Sequence, residues 1–451
     1  MADPNETATS GGAAAQLRAR RDLAVAAAVR QGLLDDAYPL TALLDLRTVR
    51  ETVHALHDAF AGLGAPSRPP LHTFAVKAGS LVPVLRLLND LGMGAEVASP
   101  GELALARAAG VAADRTVLDS PAKTTAELSE ALRLGIAINV DNPQELARLD
   151  ASVATRPPRA PVGLRINPQL GAGSIDAMST ATATSKFGVA LQDPGARNWV
   201  LRAYAERPWL TALHCHVGSQ GMPLDRMAAG VATIVELAEE INDAAVAAGG
   251  RPQVDTLDIG GGLPVNFASD EVTPAYRDFA DLLGERAPEA FGGQYRIVTE
   301  FGRSVLAKAG VVLARVEYTK DAGGRRIVVT HAGAQVATRT VFAPDSWPLR
   351  VAAYDGDGAP LTAAPLRQDI AGPCCFAGDL VARDREMPEL RPGDHAALLD
   401  TGAYYASNPF GYNSLLRPAV HGFTVGPGGA VEFTPLRRAQ TVAELVAESG
   451  G

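Results

Sequence analysis

The sequence predicts an α/β protein of two domains, a (β/α)8 TIM barrel followed by a C-terminal antiparallel β domain. Short apolar segments typical of buried strands alternate with helical segments from residue 40 to residue 300, which is the pattern of a parallel barrel. Beyond Arg303 the pattern changes to strand-like segments separated by Gly and Pro turns, which indicates antiparallel sheet. The 451 residues also exceed what one ordinary core needs.

The predicted boundaries and elements follow from these patterns. We expect a disordered tail over 1–16, an N-terminal segment over 17–47 that packs with the β domain, a barrel over 48–305 and the β domain over 306–451. The helical pattern covers residues 17–34, 48–63, 82–91, 100–109, 125–134, 143–151, 224–247 and 275–286. The strand pattern covers residues 40–46, 71–76, 95–98, 116–118, 137–140, 162–166, 210–216, 256–259, 295–300, 309–318, 326–330, 349–353, 380–382, 395–399 and 422–432.

Composition and charge favour a small-molecule ligand over a membrane or a nucleic acid. The chain is 47% hydrophobic and 20% charged, and it has no apolar run near the roughly 20 residues of a membrane helix. The net charge is −9, and no basic cluster occurs beyond Arg18 to Arg21. Three cysteines and a start without a secretory signal predict a reducing, cytoplasmic location.

Lys77 is the first candidate for chemistry, because it lies at the end of the predicted strand 71–76. An amine that is partly removed from water at a strand end can form a Schiff base with an aldehyde. The alternative is an ordinary lysine that extends from a strand into solvent. Position alone leaves both interpretations open.

A glycine run and two histidines are candidates for binding a phosphate and an aromatic ring. Gly260 to Gly262 follow a predicted strand, so their backbone amides could approach a phosphate closely, although a tight turn would also explain them. We interpret His214 and His216 as facing opposite ways along one strand, which argues against a shared metal ion. One of the two imidazoles can stack on a cofactor ring. Ser219 adds phosphate-binding capacity.

Glu300 and Cys375 are candidates for proton chemistry. A carboxylate beside a pyridine nitrogen keeps that nitrogen protonated, and a protonated pyridine ring is a strong electron sink. Such a ring stabilises the negative charge left when an amino acid loses CO2. The Cys375 thiol could return a proton to that carbon. The alternative for a free cysteine is a small buried hydrophobe, which is our interpretation of Cys374.

Five segments, taken in order, carry a family resemblance. They are Thr-Phe-Ala-Val-Lys-Ala at 73–78, His-Cys-His-Val-Gly-Ser-Gln at 214–220, Asp-Ile-Gly-Gly-Gly-Leu-Pro at 258–264, Glu-Phe-Gly-Arg-Ser at 300–304 and Gly-Pro-Cys-Cys-Phe-Ala-Gly-Asp at 372–379. The chain resembles the fold-type III pyridoxal-phosphate decarboxylases, specifically the diaminopimelate decarboxylase branch, from about Tyr38 to Phe423. The resemblance implies an alanine-racemase-like barrel, pyridoxal 5'-phosphate as cofactor, and a head-to-tail homodimer with shared active sites.

The resemblance also implies roles for individual residues. Lys77 matches the Schiff-base lysine, Glu300 the partner of the pyridine nitrogen, and Cys375 a thiol that reaches the Lys77 site of the partner subunit. The other matches are Arg165 near the phenolic oxygen, His216 stacked on the ring, Ser219 and Gly260, Gly261 and Gly262 at the phosphate, Gly302 and Arg303 after Glu300, and Tyr404 at phosphate and substrate. Arg303 and Arg339 match arginines that hold a distal carboxylate.

The departures from the family pattern concern the substrate. Phe376 stands where the family has an acidic residue that pairs with the substrate's distal ammonium, and Ala343 stands near the position of a carboxylate-binding tyrosine. Phe301 and Gly79 replace a proline and an asparagine. An ammonium against Phe376 would lose hydration without a counter-charge, at a cost of a few kcal/mol. We therefore predict a decarboxylase of an acidic or acyl-conjugated amino acid.

Three alternatives stay open. The first is a true meso-diaminopimelate decarboxylase of lysine biosynthesis. The second is a racemase or epimerase of the same fold, whose site would place an arginine at the ring nitrogen. The third is a catalytically inactive relative that binds a partner protein, against which the presence of Lys77, Glu300 and Cys375 together argues.

Overall fold

The computed structural model of the chain describes residues 4–64 and 67–451 and divides them into two compact units. The barrel unit comprises Thr52–Val265 and Pro274–Val305, and the β unit comprises the chain up to Glu51, Asn266–Thr273 and Leu306–Gly451. The chain starts with α1 (Pro4–Arg30), β1 (Leu40–Asp45) and α2 (Leu46–Phe60). Among the described helices, none has both the length and the apolar character needed to cross a membrane.

Within residues 67–305, eight parallel strands close into a barrel. These strands are β2 (Leu71–Ala75), β3 (Gly94–Val97), β4 (Thr116–Asp119), β5 (Ala137–Val140), β6 (Val162–Asn167), β8 (Ala212–His214), β9 (Thr256–Asp258) and β10 (Arg296–Phe301), and the two-residue β7 (Val189–Ala190) adds to β6. Closure comes from the pairing of β10 with β2, and of β5 with β6. Nearly every strand residue is buried, as expected for parallel strands covered on both faces. The predicted barrel is confirmed.

Helices alternate with the barrel strands. They are α3 (Val82–Asp90), α4 (Pro100–Ala108), α5 (Thr125–Leu134), α6 (Pro143–Val153), α7 (Ala196–Glu206), α8 (Leu224–Ala247), α9 (Tyr276–Arg286) and the single turn α10 (Arg303–Leu306). Three of them start on local signals that the sequence shows, because Ser99, Thr124 and Asn142 each cap a helix by accepting the backbone N–H of a glutamate three residues later.

The β unit is a mixed sheet in which most neighbours are antiparallel. Its further elements are β11 (Gly310–Ala322), β12 (Arg325–Thr330), α11 (Ala334–Phe342), β13 (Val351–Tyr354), β14 (Pro365–Ala371), β15 (Leu380–Pro388), β16 (His395–Leu399), β17 (Ala419–Val425), β18 (Val431–Arg437) and α12 (Val442–Glu448). The strands run in the order β15-β14-β12-β11-β1-β17-β18, and β16 joins β11 to β13. Only β1 with β17 and β12 with β14 are parallel within the described sheet. The predicted second β domain is confirmed.

The structure differs from the predicted elements at several places. α1 begins at Pro4 and so includes residues 4–16, for which the sequence predicts a disordered tail; residues 1–3 lie outside the described part. The predicted strand 422–432 is the hairpin of β17 and β18, closed by the Gly426 N–H donating to Ala430 O at 2.8 Å. Among the labelled elements, those without a predicted counterpart are β7, β14, α7, α10, α11 and α12.

Candidate active site

The polar residues of the barrel unit gather where the parallel strands end. Lys77 lies in the 3₁₀ turn Val76–Ala78 directly after β2, and Arg165 lies near the end of β6. Gly260 follows β9, and Glu300 lies one residue before the end of β10. Because the carboxyl ends of barrel strands share one face, these side chains belong to a single site, as active sites of this fold do.

Lys77 pairs with a buried carboxylate on the neighbouring strand. Its Nζ donates to Glu96 Oε2 at 2.6 Å, and the Lys77 side chain is 45% exposed whereas that of Glu96 is fully buried. Burial raises the pKa of Glu96 to about 7, although the Lys77 ammonium acts in the opposite direction. Glu96 therefore orients the amine while leaving part of it accessible from the barrel mouth.

A buried polar network lies beside Glu300. His214 Nδ1 lies 3.2 Å from Asp258 Oδ1, and its Nε2 lies 3.6 Å from Asp119 Oδ2. Arg165 Nη1 binds the same Asp119 oxygen at 2.8 Å. Burial alone would raise the pKa of Asp119, but Arg165 and His214 hold it below its ordinary value. Asp119 is thus a fixed negative charge inside the barrel.

Glu300 is in the opposite electrostatic situation. Burial, together with the nearby Asp258, Asp119 and Glu96, raises the pKa of Glu300 well above its ordinary value. Glu300 Oε1 is buried and has no hydrogen-bond partner among the described residues. A raised pKa favours the protonated form of Glu300, and the unused Oε1 is available to a ligand, which suits a basic ring nitrogen.

The two histidines of the predicted strand face the same network. His214 contacts Asp119, and the same carboxylate acts on the pKa of His216. The premise of the interpretation that they face opposite ways is wrong, because residues two apart along a strand point to one face. β8 ends at His214, so His216 lies beyond the strand. Asp119, His214 and Glu300 bring one ligand atom each within 4.8 Å of one another, a group that could also hold a metal ion. The absence of a metal stays a prediction.

His216 is neutral and is tied to the glycine run. Burial, with the positive charges of Arg165 and Lys77, lowers the pKa of His216 to about 3. Its Nδ1 accepts the Gly261 N–H at 3.2 Å, so the proton of the neutral ring is on Nε2. A neutral imidazole in a fixed orientation is suited to stacking on an aromatic ring.

The glycine run is required by close backbone packing. A Cβ on Gly261 would overlap the carbonyl oxygen of Glu300, and one on Gly262 would overlap that of Gly218. Gly262 also has φ +98°, in the region that favours glycine. Gly302 acts similarly, since its Cβ would lie 2.9 Å from that of Ala78 beside Lys77. These glycines therefore bring β9, β10 and the Lys77 turn together.

The other predicted barrel residues are buried or half-buried near these groups. The Arg165 guanidinium lies 4.4 Å from the ring centroid of Phe187. Arg303 is buried at the start of α10. Ser219 is half-buried, and its backbone N–H donates to Met178 O at 3.0 Å. Arg165, Ser219 and Arg303 all lie in the barrel unit, as Lys77 and Glu300 do.

The predicted thiol lies in the β unit, on the loop between β14 and β15. Cys375 is exposed, and Cys374 beside it is buried. Asp379 holds the loop from inside, because its Oδ2 accepts the Cys374 N–H at 2.7 Å and its Oδ1 accepts the Ala334 N–H at 2.6 Å. The exposed thiol therefore stands on a tightly bonded loop.

Phe376 is part of a cluster of four aromatic rings, which we call the aromatic cluster. Phe376 stacks on Phe342 with ring centroids 5.6 Å apart and planes 7° apart, and Phe410 stacks on Tyr412 at 5.8 Å. The two pairs meet edge to face. Phe342 is 57% exposed, so the cluster presents an apolar surface next to Cys375.

Arg339 and Tyr404 also meet within the β unit. The Arg339 guanidinium lies 4.4 Å from the ring centroid of Tyr404 and 5.2 Å from that of Trp347. Arg339 Nη1 is buried and has no hydrogen-bond partner among the described residues. A guanidinium oriented by two rings, with an unused donor, is suited to binding an anion.

Sequence reasoning missed several polar residues of these sites. They are Glu96, Asp119, Asp258, Asp379 and Asn413. For the first three a signal was present, because an acidic residue inside or at the end of a fully buried strand needs a partner. Asp379 and Asn413 act on backbone groups distant in sequence, for which no local pattern exists.

The barrel residues fit pyridoxal 5'-phosphate. Besides Glu300 Oε1, the buried barrel atoms without a hydrogen-bond partner among the described residues include Glu96 Oε1, Asp119 Oδ1 and His214 Nε2. Such atoms are rare in native proteins and indicate a missing ligand. An accessible amine on Lys77, a buried carboxyl with a raised pKa on Glu300 and a neutral imidazole on His216 match an aldehyde, a ring nitrogen and a ring face.

Comparisons with known proteins agree with this fit. The family model described as pyridoxal-dependent decarboxylase, pyridoxal binding domain, matches residues 46–307. The diaminopimelate decarboxylase of Pseudomonas aeruginosa is 34% identical over 394 residues, which is 87% of this chain and 88% of that protein. That of Aquifex aeolicus is 31% identical over 77% of this chain and 79% of its own length. The structure of the Helicobacter pylori diaminopimelate decarboxylase complexed with L-lysine has a TM-score of 0.76 and 26% identity, covering 91% and 97% of the two chains.

Fold, site and comparisons together define a carboxy-lyase that depends on pyridoxal 5'-phosphate. When bound, this cofactor supplies the electron sink for loss of the carboxylate. The chain belongs to the pyridoxal-dependent decarboxylases of fold type III, and within them it is similar to the diaminopimelate decarboxylases.

Proposed function

We propose that this enzyme decarboxylates an α-amino acid whose distal end is acidic or acyl-conjugated and carries no free ammonium group. One observation carries the proposal, namely that Phe376, directly after Cys375, is part of an aromatic cluster instead of being an acidic residue. A cation–π contact at a partly exposed ring contributes about 0.5–1 kcal/mol. Removing an ammonium from water without a carboxylate costs several kcal/mol, so an ammonium is disfavoured here.

Arg339 supports the acidic part of the proposal. Its buried, unpartnered Nη1 and its position between Tyr404 and Trp347 suit a distal carboxylate. In this proposal Arg339, Arg303 and Tyr404 hold the substrate, while Phe376 lies against its distal part. A bidentate contact with a guanidinium would fix the length of substrate that fits.

The proposed roles of the barrel residues follow from their geometry. Lys77, whose amine pairs with Glu96, would hold the cofactor aldehyde, and Glu300, whose Oε1 has no partner among the described residues, would hold the ring nitrogen. The neutral His216 would stack on the ring, and Arg165, held by Asp119, would lie near the phenolic oxygen. The phosphate would be held by Ser219 and by the loop of Gly260, Gly261 and Gly262, with Gly302, Arg303 and Tyr404 completing the cofactor site. The Gly260 and Gly261 N–H groups donate to Asp258 Oδ1 and His216 Nδ1 in the structure, so they would have to exchange these partners for the phosphate.

Cys375 is proposed to return the proton after CO2 has left. The electron pair of the broken bond then forms a C–H bond with the thiol proton at the α-carbon. We also propose a head-to-tail homodimer in which Cys375 of one copy serves Lys77 of the other, located in the cytoplasm. The exposure of Cys375 supports an active site shared between two copies. The absence of a disulfide among the three described cysteines supports the cytoplasmic location.

A true meso-diaminopimelate decarboxylase is the second candidate, and the names of the relatives favour it. A racemase is less well supported, because in this proposal the group at the ring nitrogen is the Glu300 carboxyl, whereas a racemase site would have an arginine there. An inactive relative is opposed by the Lys77–Glu96 pair and the unpartnered Glu300 oxygen, which serve a bound cofactor.

The test measures CO2 release by holoenzyme from a panel containing meso-diaminopimelate, L-glutamate, L-2-aminoadipate and their distal acyl conjugates. We expect kcat/KM for an acidic or acylated member to exceed that for diaminopimelate. Phe376→Glu should then gain roughly 10- to 100-fold on diaminopimelate, the worth of one charge-assisted hydrogen bond. Phe376→Leu is the control without charge and should gain nothing.

Two outcomes would contradict the substrate proposal. One is wild-type enzyme that prefers diaminopimelate over every other panel member. The other is an equal gain in Phe376→Glu and Phe376→Leu, which would point to ring size and not to charge. Lys77→Ala serves as the blank, since it should release no CO2 from any amino acid.

A further inference from the structure

The peptide groups on both sides of Cys375 are bonded to one short turn. The Cys375 N–H donates to Asn413 Oδ1 at 2.8 Å, and the Tyr412 hydroxyl lies 3.5 Å from Cys375 O. Both contacts come from the 3₁₀ turn Tyr412–Ser414, which is 37 and 38 residues further along the chain. Because hydrogen bonds hold both the N–H and the C=O of Cys375, its backbone is restrained, and this limits the directions in which its side chain can point.

The backbone of this turn is held in an uncommon conformation. Asn413 has φ +60° and ψ +11°, and Ser414 follows with φ +53°. Glycine is the usual residue for a left-handed position, and asparagine is the non-glycine residue that tolerates it best. At Asn413 the carboxamide is used, because its oxygen accepts the Cys375 N–H.

The same turn also contacts the residue after the thiol. The Tyr412 ring meets the Phe376 ring edge to face at 5.8 Å. On the inner side of the loop, Asp379 binds the Cys374 N–H. The loop is therefore held on its inner side by the hydrogen bond from Cys374 to Asp379 and on its outer side by that from Cys375 to Asn413. Of the two adjacent cysteines, Cys375 is the exposed one.

We propose that Asn413 is a positioning residue that fixes the orientation of the Cys375 thiol, with Tyr412 as its weaker partner. The inference rests on the proposed role of Cys375 as proton donor. When the bond from the α-carbon to the carboxylate breaks, CO2 leaves, and one new C–H bond forms with the thiol proton. A thiol held in one direction delivers that proton to one face of the carbon, so Asn413 controls both the rate of this step and its stereochemistry.

The structure provides a matched pair of variants. Asn413→Gly keeps the left-handed backbone without strain and deletes the hydrogen bond, whereas Asn413→Asp keeps an acceptor oxygen at the same place. We expect Asn413→Gly to lower kcat about 10- to 100-fold with KM unchanged, as a small misplacement of a reacting group does. Asn413→Asp should restore most of the rate.

Two readouts separate positioning from a merely structural role. With the amino acid most active in the CO2 panel, each turnover in D2O adds one deuterium at the α-carbon. Wild type should place it at one of the two α-hydrogen positions, and Asn413→Gly should give a mixture of the two monodeuterated products. In cofactor-loaded enzyme without substrate, alkylation of Cys375 by iodoacetamide should become roughly two- to tenfold faster in Asn413→Gly, the change expected from losing one hydrogen bond.

The proposal is overturned if Asn413→Gly matches wild type in kcat, labelling and alkylation rate, or if Asn413→Asp behaves like Asn413→Gly. If Asn413→Gly does not fold, Tyr412→Phe is the test of the proposal. We expect a smaller change in the position of the label in this variant, and an unchanged labelling pattern would contradict the proposal. Cys375→Ala is measured in parallel. Full activity in Cys375→Ala, with the label still at one α-hydrogen position, would refute the role of Cys375 as proton donor. The alkylation rates would still show whether the hydrogen bond from Cys375 to Asn413 restrains the thiol.

Discussion

Replacing Asp379 by asparagine tests whether the Cys375 loop is organised from inside by one carboxylate. Asp379 is 3% exposed, and its two oxygens accept two backbone N–H groups, of Cys374 and of Ala334. Asparagine offers only one acceptor oxygen, and its NH2 group would face the other N–H. Asp379→Asn is therefore nearly isosteric but electrostatically wrong.

The expected loss can be worked from these contacts. A hydrogen bond to a charged group contributes about 1.5–3 kcal/mol, and a buried N–H left unsatisfied costs about 1–3 kcal/mol. The two effects overlap, so we expect Asp379→Asn to lower the free energy of unfolding of the β unit by about 2–4 kcal/mol. For a domain of this size that is a fall in melting temperature of roughly 10 °C.

Calorimetry and urea unfolding measure this loss, and CO2 release measures its effect on the loop. Asp345→Asn is the matched control, since Asp345 is exposed in the turn after α11. We expect a drop in kcat at a temperature where Asp379→Asn is still folded. A variant that melts with wild type, or one that is destabilised with undiminished kcat, would refute the idea that this carboxylate sets the loop.

Three further predictions concern the barrel unit. Gly261→Ala should lose bound cofactor, measured by its absorbance, because the new methyl group overlaps the Glu300 carbonyl; Gly292→Ala, where the nearest atom lies 3.6 Å away, should retain it. Glu300→Gln should bind cofactor but lose about 10²- to 10⁴-fold in CO2 release, since amide nitrogen cannot exchange the ring proton. Burial and the neighbouring His57 lower the pKa of His72 to about 3, so its contribution to stability is lost as pH falls below about 6.5, amounting to about 2 kcal/mol at pH 5. Urea unfolding at pH 7 and pH 5 should therefore show a smaller pH dependence for His72→Gln than for wild type, with exposed His54→Gln as the control.

The barrel was predictable because its signals are local. Strand and helix periods, turn residues and the caps at Ser99, Thr124 and Asn142 all lie within a few residues of the element they define. The candidate site followed, since residues after strands meet at one end of a barrel. Comparing the directions of His214 and His216 required only the two-residue period of a strand. Our premise that residues two apart face opposite ways was wrong.

The elements missed in the β unit depend on partners distant in sequence. α11 has Gly333 at its N-cap, without a side-chain cap of its own, and the carboxylate of Asp379 serves its first turn from 45 residues away. β14 begins with Pro365 and exposes its first three residues, so it lacks the apolar alternation of a predicted strand. The hydrogen bond from Cys375 to Asn413 is likewise tertiary, and no spacing rule indicates it.

The pairing of β1 has a consequence for how the chain acquires its structure during synthesis. β1 (Leu40–Asp45) lies inside its sheet, and its two neighbouring strands begin at Gly310 and Ala419. The ribosome therefore adds roughly 270 residues before the first partner of β1 exists. Both hydrogen-bonding edges of β1 are open during that interval, which makes it a hazard for aggregation. The barrel strands are complete at Phe301, before any partner of β1 has been made. Vectorial synthesis therefore favours a barrel that folds first and a β unit that closes last around its own beginning.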